Sequence, residues 1–113
     1  MAAGDWKDML SAIHEGNIDL VKYHINNGVN PNYQHPEFLT TPLIESIASE
    51  KYEIAKFLLE NGADPGLKAG FSTDSPISVA KKTKNKEIIQ LLKSYLPRKR
   101  NIFLVFKGMI RKR

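Results

Sequence analysis

The chain has 113 residues, of which 42% are hydrophobic and 26% charged, the balance of one globular domain with a modest core. It has no cysteine, which excludes disulfides, thiolate metal ligands and cysteine nucleophiles and fits a reducing compartment. The N-terminus lacks a signal-peptide pattern, and no run approaches the roughly 20 apolar residues of a membrane-spanning helix, so the sequence predicts a cytoplasmic protein.

The charge is divided unevenly along the chain. Residues 98–113 carry seven of the basic residues and no acidic one, whereas residues 1–97 carry ten lysines against twelve aspartates and glutamates, a net charge of −2. Such asymmetry predicts a domain over 1–97 and a basic, partly apolar extension over 98–113 with a contact of its own.

The first predicted unit covers about residues 5–32. Gly16-Asn17 separates two amphipathic stretches, and Asn17 is a suitable N-cap for the second. Trp6 stands just before the first predicted helix, where it either covers the end of the core or contacts a partner.

The second unit, about residues 33–66, has the clearest pattern. Thr41 is a plausible N-cap, Pro42 suits the first helical position, and Gly62 is a typical helix stop. Because this unit has neighbours on both sides, its apolar residues are predicted to be the most buried of the chain: Leu43, Ile54, Phe57 and Leu58.

The third unit, about residues 67–97, repeats the second at an offset of 34. Ser75-Pro76-Ile77 corresponds to Thr41-Pro42-Leu43, and Ile88 and Leu92 correspond to Ile54 and Leu58. The same offset backwards places Gly62 on Gly28 and Pro65 on Pro31. Agreement in both directions predicts three helix-turn-helix units stacked in a row.

On these residues the stretch "TPLIESIASEKYEIAKFLLENGADP" resembles an ankyrin repeat, and the likeness extends over residues 5–96. The resemblance implies an all-α solenoid with projecting finger loops and a role in binding other proteins. Two departures stand out. Ile44 replaces the family's usual histidine, and the period is 34 residues and not 33, which adds one residue to each finger loop.

Polar residues enter core positions only in the outer units. His24 takes the position of Leu58, while Lys81 and Lys93 take those of Ile47 and Leu59. Because the end units of a solenoid face water, these residues are interpreted as caps, and His24→Ala is expected to cost little stability.

The sequence offers no reaction chemistry. His14, His24 and His35 lie in different elements without metal-ligand spacing, and they are interpreted as cap, helix-surface and loop residues. The helix glutamates, Glu45 among them, are interpreted as solvated surface. We therefore predict a non-enzymatic protein with no catalytic residue, cofactor or metal.

The ankyrin resemblance implies a concave binding surface on the first helices and finger loops. The residues that it assigns to partner binding are His14, Glu15, Tyr33, His35, Glu37, Phe38, Ala48, Ser49, Phe71, Ser72, Asp74, Lys82 and Thr83. The predicted function is that of a monomeric, dedicated binder, adaptor or inhibitor of another protein, for example an immunity-type toxin neutraliser.

Residues 98–113 admit three interpretations. The apolar run 102–106 packs on the open side of the third unit, which we favour because an exposed run would promote aggregation. The alternatives are an anchor for an anionic membrane surface or acidic partner, and a nucleic-acid-binding or import-like arm. Under either alternative the tail does the binding and the repeats are its carrier.

The two loop phenylalanines give a first test. If Phe38 and Phe71 anchor a partner, Phe38→Ala and Phe71→Ala will weaken partner binding more than they lower the melting temperature, because anchors contribute mainly to the complex. Calorimetric titration and thermal melting of both variants measure the two effects. A lower melting temperature with unchanged affinity would show that the rings pin their own loops.

Overall fold

The computed structural model describes residues 3–34, 39–69 and 74–96. These ranges hold six α-helices and no strand, which confirms the all-α expectation. In chain order the helices are α1 (Ala3–Glu15), α2 (Ile18–Asn26), α3 (Pro42–Ala48), α4 (Tyr52–Glu60), α5 (Pro76–Thr83) and α6 (Lys86–Tyr95). Each consecutive pair forms one helix-turn-helix unit, and the three units stack side by side.

The helix starts follow the predicted chemistry. Thr41 Oγ1 accepts a hydrogen bond from the Ile44 amide at 3.1 Å, and Pro42 begins α3, where no amide donor is needed. Ser75 plays the same part for α5, and Asn17 Oδ1 caps α2 by accepting from the Leu20 amide at 3.1 Å.

The ends of α2 and α4 are also repeated. Gly28 and Gly62 lie one period apart with φ of 96° and 98°, a left-handed conformation that residues with a Cβ adopt only with strain. After each glycine the chain makes the same turn: the Asn32 amide donates to Asn30 Oδ1, and the Gly66 amide donates to Asp64 Oδ1, both at 2.8 Å. The 34-residue period of the sequence is therefore also a period of the backbone structure.

The core is one continuous cluster that runs through all three units. Its large members are fully or nearly fully buried: Trp6, Met9, Ile13, Val21, Leu43, Ile47, Ile54, Leu58, Leu59, Ile88 and Leu92. First helices pack on first helices and second helices on second helices, so the core sits as much between units as within them.

Trp6 differs from the prediction in its place. It lies inside α1, not before it, and is fully buried, with its indole Nε1–H donating to the Tyr33 carbonyl at 3.1 Å. Trp6, Met9 and Ile13 are spaced by three and four residues, so the apolar face of α1 begins one turn earlier than expected. Trp6 covers the core and is not a partner contact.

Phe57 was wrongly grouped with the buried residues of α4. It is only half-buried, whereas its neighbour Leu59 is 5% exposed. The equivalent residues are Tyr23, which is exposed, and Leu91, which is half-buried, so this position is fully buried in none of the three units. The Lys22 ammonium lies 5.7 Å from the centre of the Phe57 ring, a cation–π contact between α2 and α4.

His24 was wrongly predicted to lie on the helix surface. Its exposure is 7%, and its Nε2 atom is buried with no hydrogen-bond partner in the described part of the chain. Its position faces the core because the equivalent Leu58 does, and the polarity of the side chain does not change that. Lys81 and Lys93, by contrast, are exposed as predicted. The tail, 98–113, lies outside the described residues, and so its three interpretations stay open.

The difference between Leu58 and Phe57 can be measured by truncation. Leu58→Ala should lower the free energy of unfolding by about 2–5 kcal/mol, because it opens a cavity in a fully buried site. Phe57→Ala should cost clearly less, since the ring is already partly hydrated. Urea unfolding followed by circular dichroism gives both values, and equal losses would contradict this account of the outer surface.

His24 gives the opposite kind of test. His24→Leu should raise the free energy of unfolding, because an unpaired buried polar atom costs about 1–3 kcal/mol and leucine is what the repeat places there. His24→Ala should lower it, in contrast to the sequence-based expectation, by leaving a cavity. Asn26→Leu, an exposed change in the same helix, is the control. Destabilisation by leucine would mean that the imidazole is satisfied.

Candidate functional site

The first helices α1, α3 and α5 form the inner side of the stack. They contact one another more extensively than α2, α4 and α6 do, and we call the side of the stack on which they lie the inner side. Their last turns and the residues just beyond present equivalent positions at the 34-residue spacing, which we call the inner ridge: His14, Glu15, Ala48, Ser49, Lys82 and Thr83. Ser49 and Thr83 are half-buried, and the other four are exposed.

One side-chain cluster ties the ridge together across the first junction. His14 Nε2 lies 2.7 Å from Glu45 Oε1, and the Thr40 hydroxyl donates to Glu45 Oε2 at 2.9 Å. Only 24% of the Glu45 side chain is exposed, so its interpretation as solvated surface was wrong. A hydrogen-bonded pair of this exposure adds little stability. Its effect is to fix where the ridge side chain of His14 lies.

A second pair stands at the third unit. Lys82 Nζ lies 2.8 Å from Asp74 Oδ1, with 66% and 37% of the two side chains exposed. Asp74 lies just before the N-cap of α5, one period after Thr40. The structure therefore brings two of the predicted site residues into contact with each other.

The loop residue Tyr33 is held by the first unit. Its ring meets Trp6 edge-on, with the ring centres 6.1 Å apart and the planes at 71°, and its carbonyl accepts the Trp6 indole proton. Tyr33 is half-buried and not fully covered, so its role in partner binding remains a prediction. The other predicted loop residues lie outside the described ranges: His35, Glu37, Phe38, Phe71 and Ser72.

Loops of neighbouring units are joined to each other. Asn32 Oδ1 accepts from the Asp64 amide at 2.7 Å while its Nδ2 donates to the Gly62 carbonyl at 2.9 Å. Gln34 Nε2 donates to the Lys68 carbonyl at 3.1 Å. These contacts hold the loop edge of the inner surface in register with the ridge.

Sequence reasoning missed Thr40 and Glu45. A signal for Glu45 existed: it follows His14 by 31 residues, which is one period minus one helical turn. A residue at that offset lies on the next first helix, α3, one turn before Ala48, which is the equivalent of His14. It therefore lies beside His14.

Nothing in the described ranges is arranged for metal chemistry. No group of three His, Asp or Glu side chains there could hold a metal ion. Two open grooves of about 470 and 490 Å³ lie on the outer side, between the second helices, and share Tyr52 and Glu87. Within the same ranges no helix combines the length and hydropathy needed to cross a bilayer.

Comparison with known proteins agrees with this geometry. A family model described as ankyrin repeats (many copies) matches residues 9–59. Human 2-5A-dependent ribonuclease is 33% identical over 60 residues, which are 53% of this chain and 8% of that protein. The crystal structure of the human ASB11 ankyrin repeat domain is 27% identical with a TM-score of 0.70, over 80% of this chain and 39% of that one.

The chain thus spans well under half the length of either relative, and the likeness concerns their repeats. The family model matches from Met9, in the middle of α1, to Leu59 in α4, and the structural likeness covers four fifths of the chain. The third pair keeps the cap and the period of the second, Ser75-Pro76 for Thr41-Pro42. With these observations together, residues 9–59 match the ankyrin-repeat family, and the chain has the fold of an ankyrin-repeat solenoid.

Proposed function

We propose that this protein is a dedicated, non-enzymatic binder of another protein and that the inner ridge is its contact surface. Ankyrin repeats are general protein–protein interaction modules. The observation that carries the proposal is the set of equivalent, solvent-accessible ridge positions on three adjacent helices. Cross-repeat contacts between side chains, such as His14 with Glu45, hold that surface in one shape before a partner arrives.

The chemistry of the ridge favours a polar partner surface. His14 and Glu45 stand at one end and Lys82 with Asp74 at the other, while Ala48 between them leaves room for a protruding side chain. Paired charges at the margin of an interface fix register and suppress wrong partners more than they add affinity. This arrangement suits one specific partner, and we propose a cytoplasmic monomer acting as adaptor or inhibitor, with toxin neutralisation as one form of that role.

Filling the space at Ala48 tests the surface. Ala48→Arg should lower partner affinity at least about tenfold, because a long charged side chain there keeps the two surfaces apart. The stability of the protein should change by less than about 0.5 kcal/mol, since the site is exposed and lies in the last turn of α3. Quantitative capture with the tagged full chain, followed by titration of the purified captured protein, measures the loss.

Gln90→Arg is the matched control, because it makes a similar change at an exposed position of α6. The control should retain the partner. Retention by both variants would show that the ridge is not the contact. If both variants retained the partner, and substitution of the basic residues of 98–113 abolished partner binding, the tail would be the binding element.

A further inference from the structure

The burial pattern identifies a second surface, at the end of the stack. On the second unit, Ile47 of α3 and Leu59 of α4 are 0% and 5% exposed, and these two helices pack against α5 and α6 of the third unit. One period later the same positions hold Lys81 and Lys93, both exposed. Ile54 and Leu58 show no such change, because their counterparts Ile88 and Leu92 are fully buried.

Two aliphatic residues of the third unit are also less buried than their counterparts in the second unit. Ile77 and Ile89 are half-buried, whereas their counterparts Leu43 and Ala55 are 2% and 0% exposed. Each is one helical turn from a lysine, so Ile77 with Lys81 on α5 and Ile89 with Lys93 on α6 lie on one side of the third unit. We call these four residues the end face. It is the stacking surface of a repeat with no further repeat in the described chain.

The end face is positively charged. Lys81 and Lys93 form no ion pair with any residue that the structure describes, in contrast to Lys82 with its partner Asp74. Residues 76–95 hold five lysines and one glutamate, a net charge of +4, whereas the equivalent windows 42–61 and 8–27 are each −2. The positive charge is thus concentrated in the unit whose stacking surface is open.

This charge bears on what can cover the face. The chain's own tail carries seven basic residues and no acidic one, so like charges oppose its packing beside Lys81 and Lys93. A second copy placed face to face meets the same repulsion. A segment with acidic side chains on both sides of an apolar stripe matches the face, since carboxylates reach the ammonium groups while apolar atoms cover the isoleucines.

The secondary structure of that segment follows from the surface. Within the stack this surface receives helices, as α5 packs on α3 and α6 on α4. We propose that the end face binds an acidic amphipathic helix of a partner protein, at a site separate from the inner ridge. Together with the ridge it would give the protein two contact surfaces of different charge.

A synthetic 18-residue helix with leucines on one face and glutamates beside them is the probe. Its binding to the full chain is followed by fluorescence anisotropy at low salt. Lys81→Glu/Lys93→Glu should weaken binding at least about tenfold, because the charges that receive the glutamates are reversed. Lys56→Glu/Lys68→Glu makes the same change in net charge at exposed positions outside α5 and α6 and should weaken it less than about twofold.

Three results would overturn the proposal. Equal weakening by the two lysine pairs would mean non-specific attraction to a basic protein. Undiminished binding of the same peptide with its leucines changed to glutamine would mean a general polyanion site, open to nucleic acid or anionic lipid. Tighter peptide binding together with a lower melting temperature in Phe103→Ala/Phe106→Ala would mean that the chain's own tail covers the end face.

Discussion

Every part of this structure depends on the burial of apolar surface between neighbouring helix pairs. A pair such as α3 with α4 buries some apolar residues between its own two helices. It also has apolar residues on the two sides that face the neighbouring units, and only those units can cover them. Ile47 and Leu59 are 0% and 5% exposed on helices α3 and α4, which pack against α5 and α6 of the third unit. Even the polar Ser46 is fully buried in this region, which is possible because its hydroxyl donates to the Leu43 carbonyl at 2.7 Å. The spacing of 34 residues is the distance along the chain between one such surface and the next.

Because each unit repeats the same local chemistry, most of the fold could be predicted from the sequence. The capping hydroxyl before a proline marks the start of a helix, and the glycine that recurs one period later marks the end of one. Both are short-range signals, and the structure contains both. The burial predictions failed where the exposure of a position depends on the elements packed around it and not on the polarity of its own side chain. His24 is polar, yet its position in α2 points into the core, and Phe57 is aromatic, yet its position is fully buried in none of the three units. Comparing equivalent positions predicts burial better in these two cases than hydrophobicity does.

The functional surface could be predicted less completely. Its ridge follows from the repeat, since residues one period apart must stand side by side on adjacent helices. The pairing of His14 with Glu45 could not be obtained from spacing within one helix, because it depends on how far one unit is displaced against the next. Tyr33 shows a related limit: its contact with the Trp6 ring joins residues 27 positions apart, and nothing in the sequence of the loop indicated it.

Asn32 carries a consequence for how the protein opens. Its side-chain amide bonds the Asp64 amide and the Gly62 carbonyl at once, so the turn of the first unit is fastened to the turn of the second. One period later the equivalent residue is Gly66, which has no side chain to fasten the second turn to the third. The second junction is joined by other side chains, since Gln34 Nε2 donates to the Lys68 carbonyl at 3.1 Å and Asn85 Nδ2 donates to Glu50 Oε1 at 3.3 Å. In a nearest-neighbour description of a repeat array, the coupling energies of the two junctions therefore have different side-chain origins, and loss of the Asn32 amide would loosen the first junction while leaving the second unchanged.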